Sequence, residues 1–236
     1  MFRKKGGTMK GKLVPIIIIF FIIFLLVYSS YHPENTLLSS TAIAGLSFAY
    51  LLFRFEKRKV EPRELVLLAV LASIAAVGRI PFAGIPGVQP TTFVIMMSGL
   101  VFGAESGFLI GAVAALASNM ILGQGPWTPW QMAAWGLVGL TAGLLRGSRF
   151  MSTLTGKLVF GFSWGFLFGW IMNLWGYLGF VQTGGEMTLS SLLAYFAASS
   201  LFDFMHAASN VFFLLLFANG WVKSLSRFKR KYGLLE

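Results

Sequence analysis

The sequence predicts an all-α membrane protein, a six-helix bundle preceded by two extra transmembrane helices, with eight spans in total. Three observations predict it. Hydrophobic residues make up 56% of the 236 residues and charged residues 11%, against roughly 25% charged in an average soluble domain. The apolar residues fall into eight runs separated by short polar breaks, as membrane spans do. The basic residues gather in clusters at the ends of those runs.

The runs are residues 13–31, 37–55, 65–80, 91–103, 107–122, 130–145, 158–181 and 201–222. The fourth is short for a span of ~20 residues. Residues 187–200, mildly apolar, are expected to form an interfacial or re-entrant helix ahead of the last span. The first run follows a basic start and so also reads as a signal sequence. No clean small-x-small cleavage site closes it, and a retained signal-anchor helix is the expectation.

Charge sets the orientation. Arg3, Lys4, Lys5, Lys10 and Lys12 precede the first run, and Arg54, Lys57, Arg58, Lys59 and Arg63 lie between the second and third. Arg146, Arg149 and Lys157 follow the sixth, and Lys223, Arg227, Lys229, Arg230 and Lys231 follow the eighth. With eight spans, 18 of the 19 Lys and Arg fall on one side. The expected arrangement is a multi-pass protein of a bacterial plasma membrane with both termini cytoplasmic. The net charge of +11 is thus a topology signal. Nucleic acid is not an expected partner, because no base-stacking aromatics are interleaved with the basic clusters.

Composition divides the chain into residues 1–60 (basic start and two Ile-, Leu- and Phe-rich helices), 61–222 (the six-helix core) and 223–236 (a basic tail). In the core, small residues recur four apart: Gly99, Gly103, Gly107 and Gly111; Gly139, Gly143 and Gly147; Gly161, Gly165 and Gly169. Such spacing lets helix backbones approach closely.

Function is sought in the outer loops and in polar residues within spans. The loop Arg79-Ile-Pro-Phe-Ala-Gly-Ile-Pro-Gly-Val-Gln-Pro90 is expected to be extended and rigid. Gly123-Gln-Gly-Pro-Trp-Thr-Pro-Trp-Gln131 sets two tryptophans and two glutamines around two prolines. Trp127 and Trp130 also read as an interfacial belt. Gln89, Gln124 and Gln131 beside them favour a binding mouth, where aromatics supply area and amides orient a ligand. Asn119 lies near the outer end of the fifth run. Asp203, His206 and Asn210 follow an i, i+3, i+7 pattern on one helical face, where ionisable groups at membrane depth face a cavity or a partner. Pairing of Asp203 with Arg79 or with His206 is the structural alternative. The candidate substrate-binding set is therefore Arg79, Gln89, Asn119, Gln124, Trp127, Trp130, Gln131, Asp203, His206 and Asn210.

Enzymatic chemistry is not expected. Cysteine is absent and the two histidines, His32 and His206, lie far apart, so neither thiol catalysis nor a histidine-pair metal site is available. One deep acid with one histidine completes no catalytic set. The stretch Gly6-Gly-Thr-Met-Lys-Gly-Lys-Leu13 matches part of a phosphate loop. It has Leu where Ser or Thr belongs and no strand before it, so ATP-driven work falls to another subunit.

Gly78-Arg-Ile-Pro-Phe82, Gly87-Val-Gln-Pro-Thr-Thr92, Ser118-Asn-Met-Ile-Leu-Gly-Gln-Gly-Pro-Trp-Thr-Pro-Trp-Gln131 and Phe202-Asp-Phe-Met-His-Ala-Ala-Ser-Asn210 resemble the substrate-binding S components of energy-coupling factor (ECF) transporters, nearest the cobalamin-type branch. The likeness covers residues 63–222. It implies a vitamin-capturing subunit that works with a transmembrane coupling subunit and two cytoplasmic ATPases, and topples in the bilayer to release its cargo. It also implies docking through an Ala-x-x-x-Ala motif, here Ala72 and Ala76. Cobalamin is the expected transported ligand, with no covalently bound cofactor. Riboflavin, a queuosine precursor or another flat heterocycle is the alternative ligand, and a stand-alone facilitator the alternative transporter. The two N-terminal helices depart from the family pattern.

Overall fold

A computed structural model describes residues 9–32 and 62–233, together with a few isolated positions between them. The chain divides into two compact units, Met1–Lys59 and Val60–Glu236. In the first, α1 (Met9–Tyr31) is an apolar helix. Phe21, Phe24, Tyr28 and His32 stack along one face at centroid distances of 6.0, 6.2 and 4.5 Å, as i, i+3 and i+4 neighbours do. The second expected span, 37–55, lies largely outside the described residues.

The second unit contains α2 (Pro62–Val77), α3 (Thr91–Phe102), α4 (Ala104–Leu122), α5 (Thr128–Leu144), the single turn α6 (Arg149–Ser152), α7 (Leu154–Gln182) and α8 (Leu189–Tyr232). No strand occurs among the described residues. Local chemistry explains the starts. Thr153 caps α7 by accepting from Gly156 N at 3.0 Å, and Thr188 and Ser191 form a capping box on α8, each satisfying amides that a helix leaves open. Pro129 sits in the first turn of α5, where a missing N–H costs nothing.

The architecture is organised around α3, which packs against α2, α4, α5, α7 and α8. Eleven of its twelve residues are buried. One residue separates it from α4. Gly103 takes φ 102°, a conformation only glycine adopts freely. A Cβ on Gly107 would come within 2.7 Å of the Gly99 Cα, so the chain doubles back on itself at this point.

Two glycine seams follow. Cβ atoms on Gly99, Gly107 and Gly139 would overlap one another's backbones, and one on Gly143 would overlap Ala104, so α4 and α5 touch at the main chain. Along the α7–α8 seam, Gly161 meets Leu214, Gly165 meets Ala207 and Gly169 meets Asp203. Within a bilayer this contact is the cohesive force, since lipid tails give helices no hydrophobic reason to associate.

The expected count of eight spans is not supported. Among the described residues, four helical stretches are long and apolar enough to cross a membrane: Pro62–Phe82, Ala104–Leu122, Leu154–Gln182 and Leu189–Tyr232. Helices α3 and α5, with 12 and 17 residues, reach ~18 and ~26 Å at ~1.5 Å per residue, short of a ~30 Å hydrocarbon core. A helix enclosed by its neighbours need not match bilayer thickness, because protein satisfies its ends.

Two further expectations are corrected. Residues 189–200, the last span and the basic stretch as far as Tyr232 form one continuous 44-residue helix, and no glycine or proline interrupts residues 189–219. The loop 79–90 is not wholly extended but contains a 3-10 turn, Ile80–Phe82. Ala72 and Ala76 are 3% and 4% exposed. They lie on the buried stripe of α2 with Leu68, Leu71 and Ala75, not on an outer face.

Gly165→Leu is expected to destabilise the protein in detergent by about 1–3 kcal/mol, the usual cost of overpacking. Gly220→Leu, with open space around its Cβ, should change the melting temperature little.

Candidate functional site

The site is built on the loop that leaves α2. Gly87, at φ 72°, lets the loop lie against α8, where a Cβ would come within 2.9 Å of both His206 N and Phe202 O. The Gln89 backbone N–H donates to Ser209 Oγ at 3.0 Å, and Thr91 Oγ1 donates to Ala75 O at 2.8 Å. The loop is thereby tied to α8 and α2, and Arg79 is carried over the ends of α4 and α5.

Arg79 is the hub. Its Nε donates to Gln89 Oε1 at 3.1 Å, and its Nη1 donates to Ser118 Oγ at 2.6 Å and Asn119 Oδ1 at 2.8 Å. Its guanidinium carbon lies 4.7 Å from the Trp135 ring centroid, a cation–π distance. No described carboxylate pairs with it, and Nη2 bonds none of the described side chains. The charge is held by neutral oxygens and an aromatic face.

From Arg79 the network continues in two directions. Asn119 Nδ2 donates to Thr128 Oγ1 at 3.1 Å and Gln131 Oε1 at 2.7 Å. Thr128 Oγ1 donates to Gln124 Oε1 at 2.9 Å, and Gln124 Nε2 to Leu116 O at 3.1 Å. On the other side, Trp135 Nε1 donates to Thr92 Oγ1 at 3.0 Å, and that hydroxyl lies 2.8 Å from His206 Nε2. The Phe168 ring packs on both Trp135 and His206, at 4.7 and 5.0 Å. Five helices thus supply one polar and aromatic array.

Of the ten expected residues, the structure brings together Arg79, Gln89, Asn119, Gln124, Gln131 and His206. Trp127 stands nearby, at the start of α5, edge-on to Trp175 at 6.1 Å. Trp130 is buried, its Nε1 without a partner among the described residues. Asp203 and Asn210 belong to the α7–α8 seam. Asp203 Oδ2 accepts from Ser199 Oγ at 3.2 Å, and that hydroxyl accepts from Asn173 Nδ2 at 2.5 Å. Asn210 Nδ2 donates to Gly161 O at 2.9 Å while its Oδ1 lacks a described partner. Neither expected pairing of Asp203, with Arg79 or with His206, occurs.

Sequence reasoning missed Thr92, Thr128, Trp135 and Phe168 as members of the array, and Ser118 as a partner of Arg79. A signal existed. Thr128, Gln131 and Trp135 follow the same i, i+3, i+7 spacing that singled out the polar face of α8.

Residues 63–224 match the family described as ECF transporter, substrate-specific component. The chain belongs to this family. Its members are membrane subunits of transporters, not enzymes, and act with a transmembrane coupling component and ATPases. The chain is also similar to UPF0397 proteins from Vibrio atlanticus (strain LGP32) and Aliivibrio fischeri (strain MJ11). Each is 28% identical over 87 residues, covering 35% of this chain and 47% of the relative. The chain therefore spans about half the length of these relatives. No solved structure matches.

Asn119→Leu removes one of the three acceptors of Arg79 and the donor to Thr128 and Gln131. Stranding them is expected to cost about 1–3 kcal/mol in thermal unfolding, whereas Gln124→Ala at the exposed rim should stay within about 0.5 kcal/mol.

Proposed function

We propose that this chain is the substrate-capturing subunit of an ATP-driven vitamin importer, binding a flat, amide-bearing vitamin at the Arg79 array. Cobalamin is the substrate whose chemistry fits first. The binding face is extracellular, both termini are cytoplasmic, and a coupling subunit with two cytoplasmic ATPases drives release into the cell. The observation that carries this reading is Arg79. A cation at the end of an apolar bundle, with no described acid beside it and Nη2 bonded to none of the described side chains, is positioned to donate to a ligand's oxygen acceptors. Gln124 and Gln131 supply further amide chemistry, and Trp127 with Trp175 supplies apolar area for a planar ring.

Calorimetric titration of the purified full chain tests the ligand. Cobalamin should bind at about 1 μM or tighter (~8 kcal/mol), and Arg79→Gln should weaken it at least roughly tenfold, the loss of one charge-assisted bond. Silence with cobalamin but binding of riboflavin would keep the subunit and replace its substrate. Transport by proteoliposomes containing this chain alone would instead establish a facilitator.

A further inference from the structure

At the other end of the bundle from Arg79, where α3 and α5 finish and α7 begins, lies a second polar feature. A cavity of about 610 Å³ is lined by Arg146, Arg149, Lys157 and Lys229, with Ser148 and Ser152 beside them, and among the described residues no acidic side chain lines it. Lys157 is the informative member. It is only 6% exposed, and lysine is almost never this buried without a counter-charge. Its ammonium reaches two backbone carbonyls, Ser152 O at 3.3 Å and Thr153 O at 3.4 Å. These long neutral contacts leave its charge uncompensated by any described acid. Lys229 Nζ donates to Val101 O at 3.2 Å, at the end of α3. The Arg146 guanidinium lies across the Gly103 turn, where a glycine Cβ would stand 2.9 Å from its Nη1. The array is thus seated on helix ends.

The remaining wall is apolar, formed by Leu100, Val101, Met151 and Val222. Leu144 and Phe150, which neighbour the lining residues Arg146, Arg149 and Met151 in sequence, carry large apolar side chains that are 70% and 45% exposed. A small soluble anion has no use for that surface. An amphiphile with a negative head and hydrocarbon tails uses both parts.

We propose that this cavity binds the phosphate headgroup of an anionic phospholipid, with its acyl chains lying along Leu144 and Phe150. Basic pockets between membrane helices commonly take such headgroups. Phosphate would supply the counter-charge that no described acid gives Lys157, and Ser148 and Ser152 lie within the same wall to hydrogen-bond its oxygens. The inference is independent of the substrate reading. It uses no residue of the Arg79 array and holds whichever leaflet faces this end.

The test uses the full chain in detergent with added phosphatidylglycerol, phosphatidylcholine or inorganic phosphate, followed by native mass spectrometry and thermal unfolding. Phosphatidylglycerol should remain bound and raise the melting temperature, with phosphatidylcholine retained roughly tenfold less. The double variant Arg146→Gln/Arg149→Gln, altering two exposed side chains, should fold normally and lose that preference roughly tenfold. Equal retention of both lipids, or an unchanged preference in the variant, would overturn the proposal. So would stabilisation by inorganic phosphate equal to that by phosphatidylglycerol, which would make the site one for a soluble anion.

Discussion

The upper half of the bundle depends on how one cation is held. Arg79 lies at the end of an apolar helix pair, and the structure gives it an amide oxygen from Gln89, a hydroxyl from Ser118, an amide oxygen from Asn119 and the face of Trp135. Neutral partners satisfy a guanidinium's geometry while leaving its charge intact, whereas a carboxylate would cancel it. Because Asn119 passes its remaining donors to Thr128 and Gln131, the start of α5 is fixed by the same interaction. A lost member therefore strands several others, as expected of a polar network in a low-dielectric setting.

That geometry is available only because the helices beneath it approach so closely. The contacts of Gly99 and Gly107 with Gly139, and of Gly143 with Ala104, bring α3, α4 and α5 to backbone contact. Trp135 can then reach Thr92, and Thr92 can reach His206. The α7–α8 seam does the same for Asp203 and Asn210, at Gly169 and Gly161. Packing and polar chemistry are thus one design read at two scales.

Much of this was legible in the sequence. Hydropathy located α2, α3, α4, α5 and α7 to within a few residues, though not the single turn α6, and the four-residue glycine spacing identified both seams. Breaks in the helices beside Arg79 and Trp127 were visible from their prolines. Partnership was not legible. Asp203, His206 and Asn210 share one face of α8, yet their partners differ: His206 reaches Thr92 of α3 as well as Phe168 of α7, while Asp203 and Asn210 meet Gly169 and Gly161 of α7. Periodicity gives the direction of a side chain but not the neighbour waiting there. The span count failed for a related reason. Apolar runs show what avoids water, but not whether lipid or protein replaces it, and α3 is enclosed by protein. Of the two runs joined at Gly103, only α4 is long and apolar enough to cross a membrane.

The central claim is that substrate is recognised at the array around Arg79 and not along the α7–α8 seam. Hydrogen–deuterium exchange of the full chain, with and without saturating substrate, tests it most directly. The account predicts added protection in peptides covering residues 79–90 and 123–131, with little change at 199–203 and 161–173. Protection confined to the α7–α8 seam, with the two loops unaffected, would contradict it.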